Sequence, residues 1–162
     1  MIRVLFVCLG NICRSPTAHG VLQQKITQRG WQYQVEVDSA GTAAWHAGKA
    51  PDSRSTAAAA RRGYDLSPLR ARQVTAADLD YFDYVLAMDD SNLLNLQQIG
   101  HPENRTQPQL FLQQFGQRFT VREVPDPYYG GDAGFEQVLD LIEDACDGLL
   151  AAIEQRLQER SC

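Results

Sequence analysis

The sequence predicts an α/β fold: one domain spanning residues 1–162, built on an open, twisted, four-stranded parallel sheet with helices on both faces. Three observations predict it. Residues 2–8 form a nearly unbroken apolar, β-rich run; short β-rich runs then alternate with helical-period segments; and the last quarter carries one long apolar stripe.

Each element follows in order. Residues 2–8 suit a strand buried on both faces, which stops at Leu9-Gly10-Asn11. Ser15-Pro16 opens a helix, because proline loses nothing in the first turn; Ala18, Val21, Leu22, Lys25 and Ile26 follow at helical spacing, and Gly30 ends it. Residues 35–40 alternate and meet Gly41, predicting a second strand. Residues 52–62 are alanine-rich, begin with acid and end with base before Gly63, predicting a helix. Residues 84–87 predict a short buried strand, residues 89–99 a helix ended by Gly100, and residues 109–112 the last strand. Phe135, Val138, Leu139, Ile142, Cys146 and Leu149 recur at steps of three and four, continued by Ile153 and Leu157: one face of a long terminal helix. Right-handed crossovers join these units.

Composition narrows the function. Of 162 residues 44% are hydrophobic, enough for a core, and 15 basic against 20 acidic side chains leave a net charge of −5. That balance offers no basic field for nucleic acid, although a local cationic pocket can still hold a phosphate. No run approaches the roughly 18 apolar residues of a membrane span, so neither membrane insertion nor secretion is expected. Cys8, Cys13, Cys146 and Cys162 are too sparse for a disulfide scaffold and read as intracellular thiols of a cytoplasmic protein. With His19, His46 and His101 scattered, no metal site is expected.

In open parallel sheets ligands gather at the carboxyl ends of strands, which directs attention to the first strand-to-helix turn, Cys8-Leu9-Gly10-Asn11-Ile12-Cys13-Arg14-Ser15. A cysteine and an arginine five residues apart form a loop sized for one phosphate-like oxyanion. Backbone N–H groups point inward, the guanidinium closes the mouth, and the helix N-terminus adds positive potential. The same donors stabilise a thiolate. Cysteines in such settings have pKa values lowered to roughly 3.5–7.5, so Cys8 is expected to be an ionised nucleophile. Gly10 and Asn11 suit unusual backbone angles, and the Ser15 hydroxyl suits donation to the Cys8 sulfur. Far downstream, Pro125-Asp126-Pro127-Tyr128-Tyr129 holds an aspartate on a stiff aromatic loop. Such a carboxyl can protonate an oxygen leaving phosphorus and then serve as base for water.

Together these motifs resemble the low-molecular-weight protein tyrosine phosphatase family, whose signatures are a V-C-x-G-N-I-C-R-S-P loop and a late D-P-Y-Y segment. Asp38-Ser39-Ala40-Gly41, Ala71-Arg72-Gln73-Val74 and Met88-Asp89-Asp90-Ser91-Asn92 also look like family segments, so the resemblance spans nearly the whole chain. It implies hydrolysis of phosphotyrosine in proteins, with inorganic phosphate as product and no cofactor or metal. Cys8 would form a phosphocysteine and Asp126 would act as acid and then base. Arg14 with Leu9, Gly10, Asn11, Ile12, Cys13 and Ser15 would hold the phosphate. Ser39 would join Asn11 and Ser15 in supporting the loop, while Trp45, Tyr128 and Tyr129 would wall the phenyl ring. Cys13 would capture an oxidised Cys8 as a disulfide. Many members carry histidine at the Leu69 position, where leucine cannot make the same hydrogen bonds. Two rivals within the fold fit less well. Arsenate reduction by a disulfide relay needs cysteines between Cys13 and Cys146, where there are none. Protein arginine phosphatases carry threonine at the position of apolar Ile12.

Overall fold

In a computed structural model, which describes residues 1–128 and 131–160, the first apolar run becomes the strand β1 (Ile2–Cys8). It pairs in parallel with β2 (Val35–Gly41) on one side and β3 (Tyr84–Ala87) on the other, and β4 (Gln109–Leu110) completes the order β2-β1-β3-β4. Side chains alternate across a strand, and β1 uses both faces. Ile2, Val4, Phe6 and Cys8 join a core with α1 (Arg14–Gln28) and α6 (Asp132–Arg160). Leu5 and Val7 join the opposite core, containing Leu79 of α3 (Asp78–Tyr81) and Leu96 of α4 (Asp90–Ile99). This explains why β1 is apolar at every position except Arg3 and shows no period-two pattern.

Two of the helices start where a side chain satisfies a free N–H group. Asp52 caps α2 (Ser53–Arg61), its Oδ1 accepting the Arg54 N–H at 2.8 Å, and Asp89 caps α4 through the Asn92 N–H at 2.8 Å. The apolar stripe of α6 is buried from Phe135 to Ile153. At about 1.5–3 kcal/mol per large aliphatic side chain, it supplies a main share of that core, which a charge at Ile142 or Leu149 would break. No helix among the described residues is long and apolar enough to cross a membrane.

Two expectations need correction, and one short helix was not expected. Of residues 109–112 only Gln109 and Leu110 pair with β3; Phe111 opens a short helix, α5 (Phe111–Phe115), whose Phe111 ring meets Phe6 edge-on at 5.0 Å. A short apolar run has no period that separates strand from helix, and here burial against Phe6 favours the helical turn. The single turn α3 lies in a segment with too few residues for periodicity to show. Gly10 has no positive φ among the described residues, whereas Asn11 does, at 57°.

Candidate active site

Cys8 is the last residue of β1 and stands opposite Gly41 of β2. The chain then crosses to α1 through residues 9–13. Asn11 takes the left-handed conformation there, which its short polar side chain tolerates. At Gly10 a Cβ would come within 2.9 Å of His46 Cδ2, so the half-buried imidazole would have to shift to admit one. Gly41 is needed more strictly, since its Cβ would lie 2.7 Å from the Leu9 carbonyl oxygen and 3.1 Å from the Asn11 nitrogen. Thr42 N–H and Ala43 N–H donate to the Cys8 and Leu9 carbonyls, both at 2.9 Å, and Asp52 N–H donates to the Ile12 carbonyl at 2.8 Å. The loop is therefore held from β2 and from the start of α2.

The sulfur of Cys8 sits among donors. Asn11 N–H donates to it at 3.3 Å, and the Ser15 hydroxyl lies 3.0 Å away. Asn11 Nδ2 donates to Ser15 Oγ at 2.7 Å, leaving the serine proton for the sulfur or for the Ala40 carbonyl at 3.3 Å. Asn11 Oδ1 in turn accepts the Arg72 N–H at 3.0 Å. Every polar atom of the Asn11 side chain is thus fixed, and with it the amide that faces the sulfur. Ser39 bonds His19 Nδ1 at 3.1 Å, and its N–H donates to Asp38 at 2.8 Å. Leu69, at the position where the family resemblance suggests histidine, packs on the core instead. Burial pushes the His19 imidazole below its ordinary pKa, and the nearby Asp38 charge opposes this only in part.

Arg14 is buried, its guanidinium anchored on one side by Asp89 Oδ2 at 2.6 Å and the Val124 carbonyl at 3.1 Å. On the other side Nη2 stands 3.8 Å from Asp126 Oδ2. Burial works against its charge, but Cys8, Asp89 and Asp126 outweigh that cost and raise its pKa. The segment leading to Asp126 is pinned at two points. Buried Asp144 of α6 accepts the Gln117 and Arg118 N–H groups at 2.9 and 3.1 Å, and Val124 N–H donates to the Met88 carbonyl at 2.7 Å. Asp126 Oδ1 accepts the Tyr128 N–H at 3.0 Å, which turns the chain over the site.

These groups converge on a cavity of about 290 Å³. Cys8, Leu9, Gly10, Ile12, Cys13 and Arg14 line its base. Trp45, His46, Asp126 and Tyr128 line its mouth, so the structure brings together on this cavity all of the expected site residues except four. Asn11 and Ser15 act from behind through the Cys8 sulfur, the Ser39 hydrogen bonds run to His19 and Asp38 instead of the loop, and Tyr129 lies outside the described residues, as does Cys162. Trp45 is 72% exposed and Tyr128 38%, so both rings present aromatic surface at the mouth. Arg54 stacks over the Tyr128 ring at 5.4 Å and donates to its carbonyl at 2.8 Å, joining α2 to the aspartate loop. Cys13 is buried at the start of α1, and burial pushes its thiol up to about 12. Cys146 is fully buried in α6 and its thiol is raised for the same reason.

Sequence reasoning missed Asp89, His46 and Arg54 as site residues. Asp89 carried a signal, an acid directly after a buried strand, on the same edge as the cysteine loop. His46 and Arg54 carried none, since each acts through a contact with a distant segment.

Residues 3–159 match the model of the family described as low molecular weight phosphotyrosine protein phosphatase. A low molecular weight protein-tyrosine-phosphatase of Bacillus subtilis is 39% identical over 158 residues, covering 98% of this chain and 99% of that protein. The crystal structure of a protein tyrosine phosphatase from Entamoeba histolytica, with Hepes in its active site, superimposes with a TM-score of 0.91 at 38% identity, covering 96% of this chain and 98% of that one. A Drosophila arginine phosphatase structure matches with a TM-score of 0.85 at 32% identity, covering 94% of this chain and 98% of that one.

Proposed function

This chain belongs to the low molecular weight phosphotyrosine protein phosphatase family and is an enzyme of that class, and from that premise we propose how its residues divide the work on phosphotyrosine-containing proteins. The observation that carries the proposal is the convergence of Cys8 Sγ, its two donors, Arg14 and Asp126 on one cavity.

The phosphoryl group enters with its equatorial oxygens facing the loop amides and the guanidinium of Arg14, whose orientation Asp89 and Val124 already fix. Donors set in place before the reaction cost no reorganisation during it. The sulfur anion attacks phosphorus as the phosphorus–oxygen bond to the ring breaks, and Asp126 passes its proton to the departing phenolate. The phosphocysteine then meets water. Asp126, now a carboxylate, takes the water proton, the oxygen attacks phosphorus, and the sulfur–phosphorus bond breaks to release inorganic phosphate and restore the thiolate. Trp45 and Tyr128 flank the ring of the substrate, and apolar Ile12 presents no hydroxyl to a charged phosphoguanidinium, which favours phosphotyrosine over phosphoarginine. A cytoplasmic location, where thiols stay reduced, fits the same reading.

The test is hydrolysis of aryl phosphates of graded leaving-group pKa in metal-free buffer. Cys8→Ser is expected to abolish turnover, and Asp126→Ala to slow it by roughly 10²–10⁴-fold for poor leaving groups and far less for good ones. Rapid quenching with ³²P-labelled substrate should trap a phosphocysteine in Asp126→Ala. Undiminished turnover by Cys8→Ser, or a uniform effect of Asp126→Ala across leaving groups, would overturn the assignment.

A further inference from the structure

Beside the catalytic cavity lies a second hollow of about 330 Å³, separated from it by Trp45 and Leu9, which line both. Half-buried Thr42, Ala43 and Asn95 and buried Val74 line its depth, and exposed Gln73, Gln98 and Ile99 its rim. Among the described residues that line it, none is charged. The other flank of the catalytic cavity differs, since there Arg54 and Asp52 pair at 3.2 Å next to Tyr128.

We infer that this hollow receives an uncharged, apolar side chain of the substrate polypeptide next to the phosphotyrosine, making it a specificity subsite of the phosphatase reading above, on which it rests. Three observations carry this. The hollow adjoins the catalytic cavity across one indole that is 72% exposed, so a guest spanning both would cover Trp45. Its volume is comparable with that of the cavity that must hold a phosphorylated phenyl ring, leaving room for a leucine-sized or larger group. Its chemistry is selective: Ile99, 42% exposed, and Val74 offer apolar contact, while the amides of Gln73, Asn95 and Gln98 can meet the guest's backbone. Gln73 already shows this capacity by donating to the Thr42 carbonyl at 3.2 Å. A carboxylate or ammonium placed there would lose water and find no counter-charge. Neighbouring residues of an extended peptide lie roughly 3.3 Å apart along the chain, so a residue one or two positions from the phosphotyrosine is the one in reach.

The experiment compares kcat/KM on p-nitrophenyl phosphate, which has no neighbour, with values on phosphotyrosine peptides carrying leucine, serine or glutamate at the positions adjoining the phosphotyrosine. The native enzyme is expected to prefer the best leucine peptide over its glutamate counterpart by roughly tenfold, within the range one apolar pocket contact confers. Ile99→Asp should erase that preference while leaving p-nitrophenyl phosphate turnover within about twofold, which also shows that the variant is folded. Gln98→Lys should tilt the preference toward glutamate. Hydrolysis of all peptides at equal rates by the native enzyme would overturn the subsite and leave the phosphatase reading standing. So would a loss in Ile99→Asp that is equal for peptides and p-nitrophenyl phosphate. Failure to hydrolyse any phosphotyrosine compound would overturn both.

Discussion

Gly41→Ala tests whether the reactive loop is preformed by packing against β2. Gly41 does not occupy a left-handed conformation, so the added methyl group acts through contact alone. It would stand 2.7 Å from the Leu9 oxygen, 3.1 Å from the Ala43 oxygen and 3.1 Å from the Asn11 nitrogen. All three are backbone atoms that cannot swing aside. The Leu9 carbonyl is held by the Ala43 N–H at 2.9 Å, and Asn11 is held through both ends of its side chain. Overpacking of this kind costs about 1–3 kcal/mol. For a chain of this length that lowers Tm by roughly 2–12 °C. The activity loss should exceed the stability loss. The atom displaced is the nitrogen whose proton meets the Cys8 sulfur at 3.3 Å, and removing one donor of this kind costs roughly 10²–10³ in turnover. Steady-state kinetics on p-nitrophenyl phosphate below the melting transition, beside Gly134→Ala as a control whose nearest neighbour is Pro127 at 3.7 Å, decides the matter. Gly41→Ala with native kcat would refute the claim that β2 sets the loop.

Asp89→Asn keeps an oxygen for capping α4 but removes the charge that anchors buried Arg14 at 2.6 Å, so kcat/KM and inhibition by inorganic phosphate should both weaken about 10- to 100-fold, with Tm lowered by roughly 2–12 °C for about 1–3 kcal/mol lost. Unchanged phosphate inhibition would count against the anchor. For His19, burial lowers the folded-state pKa below the unfolded value of about 6.5. Below that value the unfolded chain binds more protons, so stability falls as pH drops through the window between the two pKa values, by at most about 1.4 kcal/mol per pH unit. His19→Gln should therefore show a flatter Tm profile between about pH 7 and pH 5; parallel profiles would exclude the histidine as the cause. The redox expectation for Cys13 is that hydrogen peroxide oxidises the Cys8 sulfur to a sulfenic acid and that attack by the Cys13 sulfur then expels water and closes a disulfide. Dithiothreitol should restore activity to the peroxide-treated parent and much less to Cys13→Ser; equal recovery would remove Cys13 from that role.

The elements most legible in the sequence were those whose burial is complete. The run of residues 2–8 and the stripe from Phe135 to Ile153 each bury one continuous surface, and their patterns leave little choice of structure. The loop after β1 was legible for a different reason: Cys8, Asn11, Arg14 and Ser15 interact within eight residues, so spacing alone carries their geometry. Residues 109–112 failed because four apolar or amide side chains fit either period. Asp89, His46 and Arg54 failed because their roles depend on partners far along the chain, such as Asp89 on Arg14 and Arg54 on Tyr128. The substitution at Leu69 shows the same limit. The sequence shows a missing histidine but not that Asn11 is met by the Arg72 backbone and Ser39 by His19.

Topology explains how such distant residues meet. In the order β2-β1-β3-β4, the chain leaves β1 toward β2 and later returns on the other side as β3, so the crossovers after β1 and β3 lead away from each other. A crevice opens at the carboxyl ends of these two strands, and no crossover fills it. Cys8 ends one strand; Met88 and Asp89 follow the end of the other. Arg14, the first residue of α1, lies buried across this crevice and bonds Asp89, and the Met88 carbonyl takes the Val124 N–H that precedes the aspartate loop. Arg14 therefore joins three pieces of chain: the loop it belongs to, the start of α4, and the segment leading to Asp126. A lysine at this position would keep the charge but lose the planar fork that bonds Asp89 and Val124 while presenting its other edge to a phosphate, so the requirement for arginine is geometric before it is electrostatic.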